Sequence, residues 1–188
     1  FAVRLNAAYQ NNNSFRKHVS TDRIYVNPSV AFRPDQHTDI VVEMDYMKNN
    51  TTPDRGTVNL AAGDTNALYE MPKGKFLGFA TDNAEITTYN FSTTAVRRLN
   101  DQFKIRAAYI NSSYENTLIG ASIGAGSAAT GYAERARTLA KSDREDKNQV
   151  LQFDFIGEEV QTGFLKHTFQ LGFDWKQTQV STISYEAK

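Results

Sequence analysis

The feature that most constrains this chain is a strict two-residue alternation of apolar and polar side chains. In HTFQLGFDWK (residues 167–176), Phe169, Leu171, Phe173 and Trp175 alternate with polar or small residues. Side chains of an extended chain point to opposite faces with a period of two. The stretch is therefore a strand with one apolar and one polar face. What the apolar face contacts, a protein core or lipid, decides the class of protein.

The same alternation recurs in six further stretches, which together with the first predict seven strands. The six are FAVRLNAAYQ (1–10), RIYVNPSVAFR (23–33), DIVVEMDYM (39–47), TTYNFSTTAVRRL (87–99), QFKIRAAYI (102–110) and VLQFDFIG (150–157). We expect strands of roughly 9–11 residues, the length of a tilted membrane strand, whereas strands of soluble proteins are mostly about 5–6 residues long.

The connections between these strands alternate in length. Short turns are predicted at 34–38, 99–102 and 159–165, and long polar loops at 11–22, 49–84 and 114–147. Strands joined in this way run up and down, with all short turns at one end. The last long loop contains AERARTLAKSDRED (133–146), whose composition could support a short helix.

Charged residues avoid the apolar side of the strands. Eight lie on the opposite face: Arg4, Arg33, Glu43, Asp45, Lys104, Arg106, Asp154 and Asp174. The exceptions, Arg97 and His167, adjoin short turns, where a membrane strand reaches the headgroups. A cation on the lipid face costs about 2–4 kcal/mol at the bilayer midplane and about 0–1 near the interface. Strand length, loop alternation and the positions of Tyr46, Tyr109 and Trp175 near the long-loop ends favour a membrane barrel over a soluble β-sandwich.

Composition excludes several other classes. Basic and acidic residues balance at 21 each, which gives no electrostatic basis for binding nucleic acid. There is no cysteine for a disulfide or thiolate site. The three histidines are scattered, so no metal site or catalytic triad is expected, and the chain is not expected to be an enzyme. Because the chain begins inside an alternating pattern, we interpret it as part of a longer mature protein.

One stretch carries a family resemblance. YVNPSVAFRPDQHTDIVVEMDYMKNN (25–50) resembles a strand–turn–strand unit of the TonB-dependent siderophore receptors of the ferrichrome-receptor-like branch. The matching positions are Val26, Pro28, Val30, Phe32, Pro34, Asp35, Thr38 and Tyr46. VRLNAAYQ, MPKGKF (71–76), LNDQFKIRAAY and HTFQLGFDWK are similar to further units of these receptors in the same order.

This resemblance implies an all-β, antiparallel, up-and-down transmembrane barrel of about 22 strands, of which residues 1–188 supply about seven. An N-terminal plug domain and the remaining strands would lie outside this sequence. The implied function is import of a ferric siderophore across the outer membrane of a Gram-negative bacterium. The expected partners are the ferric siderophore, the TonB complex acting through the absent N-terminal region, and outer-membrane lipid. The long loops would be extracellular and the short turns periplasmic. No cofactor is expected apart from the siderophore.

The resemblance also indicates where the ligand would bind. In ferrichrome-type receptors the outer loop after the DYMKNN-like strand carries aromatic residues that contact the ligand. Here that position reads TTPDRGTVNLAAGD (51–64), without an aromatic residue. The candidate ligand-binding residues are therefore the first aromatics further along: Tyr69, Phe76 and Phe79. Two other functions stay open, namely a passive porin-like channel and a soluble β-sandwich binding module.

Overall fold

The computed structural model describes residues 1–59, 66–126 and 135–187. Within them the chain forms one antiparallel sheet of seven strands in sequential order. The strands are β1 (Ala2–Asn13), β2 (Ser20–Asp35), β3 (Thr38–Thr51), β4 (Asn83–Arg98), β5 (Phe103–Gly126), β6 (Arg135–Thr162) and β7 (Leu165–Ala187), and one short helix, α1 (Ala67–Glu70), lies between β3 and β4. The predicted seven strands and their up-and-down order are confirmed.

The cross-strand register places the apolar residues of all seven strands on one face. One row of the ladder runs through all seven strands, from Val3, Val30 and Val42 through Thr93 to Tyr109, Leu151 and Trp175. We call this side of the sheet the apolar face and the opposite side the polar face. The parity predicted from the sequence is confirmed, because a slip of one residue in any strand would have reversed its faces.

The apolar face is not covered by protein. Large side chains on it are exposed, among them Val3 (65%), Leu171 (72%) and Phe173 (61%). Within the described residues the buried apolar side chains are only Ala67, Met71, Ala108 and Ala121. A β-sandwich buries its apolar faces between two sheets, whereas these residues form a single sheet. Within the described residues the apolar face is therefore open, and this single sheet is not a β-sandwich.

The strands are longer than expected, at 12 residues for β1 and 28 for β6. The expected length of roughly 9–11 residues is that of a tilted membrane strand alone, without the extensions described next. Beyond the row of Tyr109 and Trp175, β5, β6 and β7 continue as a polar extension in which the ladder pairs Thr117 with Asp143 and Arg144 with Thr182. Much of the predicted loop 114–147 is therefore strand.

The helix expected at 133–146 is wrong for residues 135–146, which belong to β6; residues 133 and 134 lie outside the described part. Pairing with strands on both sides overrides the local helix propensity. Charged side chains two residues apart pair along β6: Lys141 Nζ lies 3.1 Å from Asp143 Oδ2, and Arg144 Nη2 lies 2.7 Å from Asp146 Oδ2. Hydrogen bonds from Lys141 and Thr117 lower the pKa of Asp143.

The short turns lie within the predicted ranges, at 36–37, 99–102 and 163–164, and residues 159–162 of the last range belong to β6. Between β2 and β3, Asp35 Oδ1 accepts from the His37 N–H at 2.7 Å, and Asp35 Oδ2 accepts from Thr38 Oγ1 at 3.1 Å. These bonds, together with Arg97 Nη1 at 3.3 Å from Asp35 Oδ2, lower the pKa of Asp35. An aspartate that bonds the backbone two residues on is a common turn former. Asn100 closes the next turn in the same way, accepting from the Phe103 N–H at 2.9 Å.

Candidate functional site

All three predicted long loops, 11–22, 49–84 and 114–147, are shorter than expected. Since β1 ends at Asn13 and β2 begins at Ser20, the first connection is the turn 14–19 rather than 11–22. The second runs from 52 to 82, of which 52–59 and 66–82 are described; we call it the 52–82 loop. It contains all three candidate ligand-binding residues.

Arg16 joins the turn 14–19 to the 52–82 loop. Its side chain is buried, with 7% exposed, and its Nε lies 3.0 Å from Asp54 Oδ2. Its Nη1 and Nη2 donate to the Lys75 carbonyl oxygen and to Thr57 Oγ1, each at 3.0 Å. The planar guanidinium, with donors in a fixed fork, can bond several acceptors at once. It therefore holds both ends of the 52–82 loop against the turn.

The other side of the 52–82 loop is attached to the extension of β5 and β6. The buried Asp82 accepts from the Ala121 N–H through Oδ2 at 3.1 Å. Arg137 donates to the Gly78 carbonyl oxygen at 3.2 Å, and its guanidinium lies 4.4 Å from the ring centroid of Phe79. The described parts of the loop are thus attached to the turn 14–19 on one side and to β5 and β6 on the other.

The structure separates the three candidate residues. Tyr69 lies in α1 with 84% of its surface exposed. Phe79 contacts Arg137 of β6, as described above. Phe76 lies beside the turn 14–19, where its ring centroid is 6.4 Å from that of His18. The three do not form one cluster, and Phe76 alone faces a cavity shared with another loop.

That cavity, which we call the 15–76 cleft, has a volume of about 520 Å³. Its lining residues come from the turn 14–19 and the 52–82 loop: Phe15, Lys17, His18, Pro72, Gly74, Lys75 and Phe76. The Lys17 N–H donates to the Gly74 carbonyl oxygen at 3.2 Å, so the two walls are also joined through the backbone. The residues of the turn were not among the candidates. The run FRKH (15–18), two aromatic rings flanking two cations, is the sequence signal that could have identified them.

The polar face of the sheet carries a second feature, a hydrogen-bond network centred on Asn27. Asn27 Nδ2 lies 2.9 Å from the Met44 carbonyl oxygen, next to Pro28, which has no N–H to offer the ladder. The same amide lies 3.1 Å from Glu43 Oε1 and 3.0 Å from Asp45 Oδ1. Two amide hydrogens serve three acceptors, so the network has no spare donor. It forms a polar wall rich in carboxylate.

Further along the polar face, Asp154 is buried between charged and neutral partners. Arg106 Nη1 lies 2.9 Å from Asp154 Oδ2, and Gln170 Nε2 donates to Asp154 Oδ1 at 2.8 Å. A Cβ on Gly172 would lie 2.9 Å from Asp154 Oδ1, so the glycine leaves room for the carboxylate. Charged groups of both signs thus lie on the polar face, and Arg106 and Asp154 are paired there.

The apolar face carries a groove of about 530 Å³, whose lining includes Val26, Pro28, Met44, Tyr46 and Tyr89. These residues point to the lipid side, so the groove is not a site for a polar ligand. Among the described residues, no three His, Cys, Asp or Glu side chains come together as a metal-binding group. In the same part of the chain, no helix is long and apolar enough to cross a membrane.

Known proteins share this architecture. No family model matches the chain. The metal-pseudopaline receptor CntO of Pseudomonas aeruginosa is 29% identical in one strain and 30% in another, each over 178 residues. The match covers 93% of this chain and 24% of the receptor, so the chain spans about a quarter of the length of these curated relatives.

Solved structures give the same fold. The ferric-catecholate import receptor Fiu of E. coli superimposes with a TM-score of 0.78 at 21% identity, over 95% of this chain and 27% of that one. The ferric preacinetobactin receptor BauA of Acinetobacter baumannii gives 0.74 at 18% identity, over 97% and 26%. FpvA of P. aeruginosa, solved with bound pyoverdine and iron, gives 0.76 at 15% identity, over 97% and 24%.

An exposed apolar face, a sequential antiparallel sheet and polar loops at one end define a segment of an outer-membrane β-barrel. The relatives make the class more specific. They are outer-membrane receptors for siderophore and metal complexes in Gram-negative bacteria, and the resemblance to TonB-dependent siderophore receptors is confirmed. The chain corresponds to a part of their barrel.

Proposed function

We propose that the whole protein is an outer-membrane receptor that imports a metal–siderophore complex with energy delivered through TonB. The observation that carries this proposal is the anchored 52–82 loop, which holds a cleft at the loop end of a lipid-facing barrel wall. Its support is the similarity to a metal-pseudopaline receptor over 93% of the chain. In this proposal the long loops are extracellular and the short turns periplasmic.

Residues 1–188 would then be part of the barrel domain, with a plug and further strands elsewhere in the protein. The outer strands β1 and β7 each have one unpaired edge within the described sheet. Unpaired backbone groups in lipid each cost several kcal/mol, so additional strands must cover both edges. The polar face with the Asn27 network would line the lumen and meet the plug. Its carboxylates Glu43 and Asp45 are held by the Asn27 amide as part of this wall, which fits a role in transport.

The experiment uses the full-length receptor in a Gram-negative host that lacks its own siderophore receptors. Iron-55 uptake is measured with a panel of ferric chelates, in cells with and without functional TonB. An energised importer takes up at least one chelate only when TonB is present. TonB-independent entry of small solutes, with no chelate uptake, would establish the passive channel instead.

The candidate residues are tested in the same cells. We expect replacement of Tyr69, Phe76 and Phe79 by Ala to weaken chelate binding, each lost contact contributing on the order of 1 kcal/mol. Phe76→Ala alone should already weaken binding measurably, because Phe76 lines the cleft. Phe164→Ala is the matched control, since Phe164 is 94% exposed in a turn at the opposite end of the sheet. Unchanged affinity in the triple variant would assign recognition to other loops or to the plug.

A further inference from the structure

We infer that the 15–76 cleft selects a negatively charged metal chelate, one with catecholate or carboxylate donors, over a neutral trihydroxamate chelate. This inference rests on the proposed function and names the charge class of its ligand. The combination that carries it is two unneutralised lysines and two phenylalanine rings around one preformed cavity.

The charge of the cleft is one-sided. Its lining contains Lys17 and Lys75 but no Asp or Glu. Within residues 1–59, 66–126 and 135–187, neither lysine has a carboxylate at ion-pair distance. Arg16, which lies between the walls, is by contrast neutralised by Asp54 at 3.0 Å. The cation that holds the loops together is paired, and the cations that face the cavity are left for an anion.

The cleft is also preformed. The three hydrogen-bonding nitrogens of Arg16 fix both walls, and a backbone bond from Lys17 to Gly74 joins them again. His18 has a φ of 67°, in the left-handed region. Non-glycine residues remain in that region where the surrounding structure over-determines them, often at ligand sites. A preformed site loses less conformational entropy on binding.

The aromatic rings define the shape of the ligand. Phe15 is 75% exposed at one side of the cleft, and Phe76 contacts His18 at the other. Rigid rings offer a large contact area and favour offset or edge-to-face contact with another aromatic ring. Catecholate rings satisfy this contact as well as the charge, whereas a neutral trihydroxamate chelate provides neither an anionic charge for the lysines nor an aromatic ring.

The test measures binding to purified full-length receptor in detergent. The probes are a ferric tricatecholate, a ferric polycarboxylate and a neutral ferric trihydroxamate. We expect an anionic probe to bind best, with affinity that falls as salt rises because screening acts on exposed charges. Lys17→Gln and Lys75→Gln should each weaken its binding roughly tenfold, and Lys→Arg at either position should restore it. Lys141→Gln, on the extension of β6, is the control that should change nothing.

The outcomes separate the inference from the proposed function. Tight binding of the neutral chelate with no effect of the lysine variants would leave the receptor function standing and overturn the charge assignment. If an anionic chelate binds equally well to both lysine variants, the charge selection lies elsewhere, and the charge assignment is overturned as well. If no chelate binds and none is taken up by cells, the proposed function itself is wrong. Copurifying lipopolysaccharide, another polyanion, is removed in a parallel sample; lysine-dependent binding of lipopolysaccharide without chelate binding would assign the cleft to lipid phosphate instead.

Discussion

The substitution Phe153→Arg tests whether the apolar face contacts lipid. Phe153 is flanked in the ladder by Phe173 and Ala107. It lies between the row of Tyr109 and Trp175 at the loop end and the stacked rings of Phe103 and Phe155 near the short turns. Its position is therefore well inside the membrane-spanning part, away from both interfaces.

The expected cost has two parts. A cation on the lipid face near the midplane costs about 2–4 kcal/mol. Phe153 is 48% exposed, so about half of its side-chain surface would contact lipid. Replacing the ring loses the free energy of transferring that apolar surface from water, which is roughly 1 kcal/mol more. Together the change should destabilise the folded barrel by about 3–5 kcal/mol.

The assay is equilibrium urea unfolding of the full-length receptor in lipid vesicles, with assembly in cells followed by heat-modifiable gel migration. Gln152→Arg is the matched control, because Gln152 is the preceding residue, lies on the polar face and pairs with Asp174. We expect that control to fold and assemble normally. If both variants are equally stable, or the control is the more damaged, the assignment of the two faces is refuted.

Three further predictions concern the turns, the sheet and the loop. The lowered pKa of Asp35 contributes stability that is fully present above the unfolded pKa of 3.8 and is lost as pH falls through the lower folded value. Asp35→Asn should therefore destabilise the protein at pH 7 and do so progressively less as the pH falls below 3.8; a cost that stays constant with falling pH in urea unfolding would contradict this. A Cβ on Gly157 would lie 2.5 Å from the Phe169 ring, so Gly157→Ala should lower the free energy of unfolding by about 1–3 kcal/mol. In a double-mutant cycle, adding Phe169→Ala should recover most of that loss. Arg16→Ala should release the 52–82 loop and speed its cleavage by trypsin at the remaining basic sites. The control Arg55→Ala, in the same loop, should not speed cleavage. If cleavage is unchanged in Arg16→Ala, Arg16 does not hold the loop.

The faces of the strands and the positions of the short turns were predictable from the sequence. Alternation with a period of two fixes which side chains share a face once the chain is extended, and it correctly grouped Val42 with Leu171 and Asp45 with Asp154. Short-range hydrogen bonds also sufficed for the turns, since Asp35 and Asn100 bond backbone groups only two or three residues away. These features depend on local geometry, which a sequence pattern records directly.

The loop end was decided by tertiary structure. Residues 135–146 have a composition compatible with a helix, yet they form β6 because β5 and β7 supply partners for their backbone groups on both sides. Arg16 contacts residues 38 to 59 positions away in the chain, and no local pattern encodes such contacts. The sequence by itself therefore determined which side chains share the apolar face, because the two-residue period is a property of each strand alone. Only the fold decided that Lys17 and Phe76 line one cleft, because that cleft exists where two separate connections are held together by a single buried guanidinium.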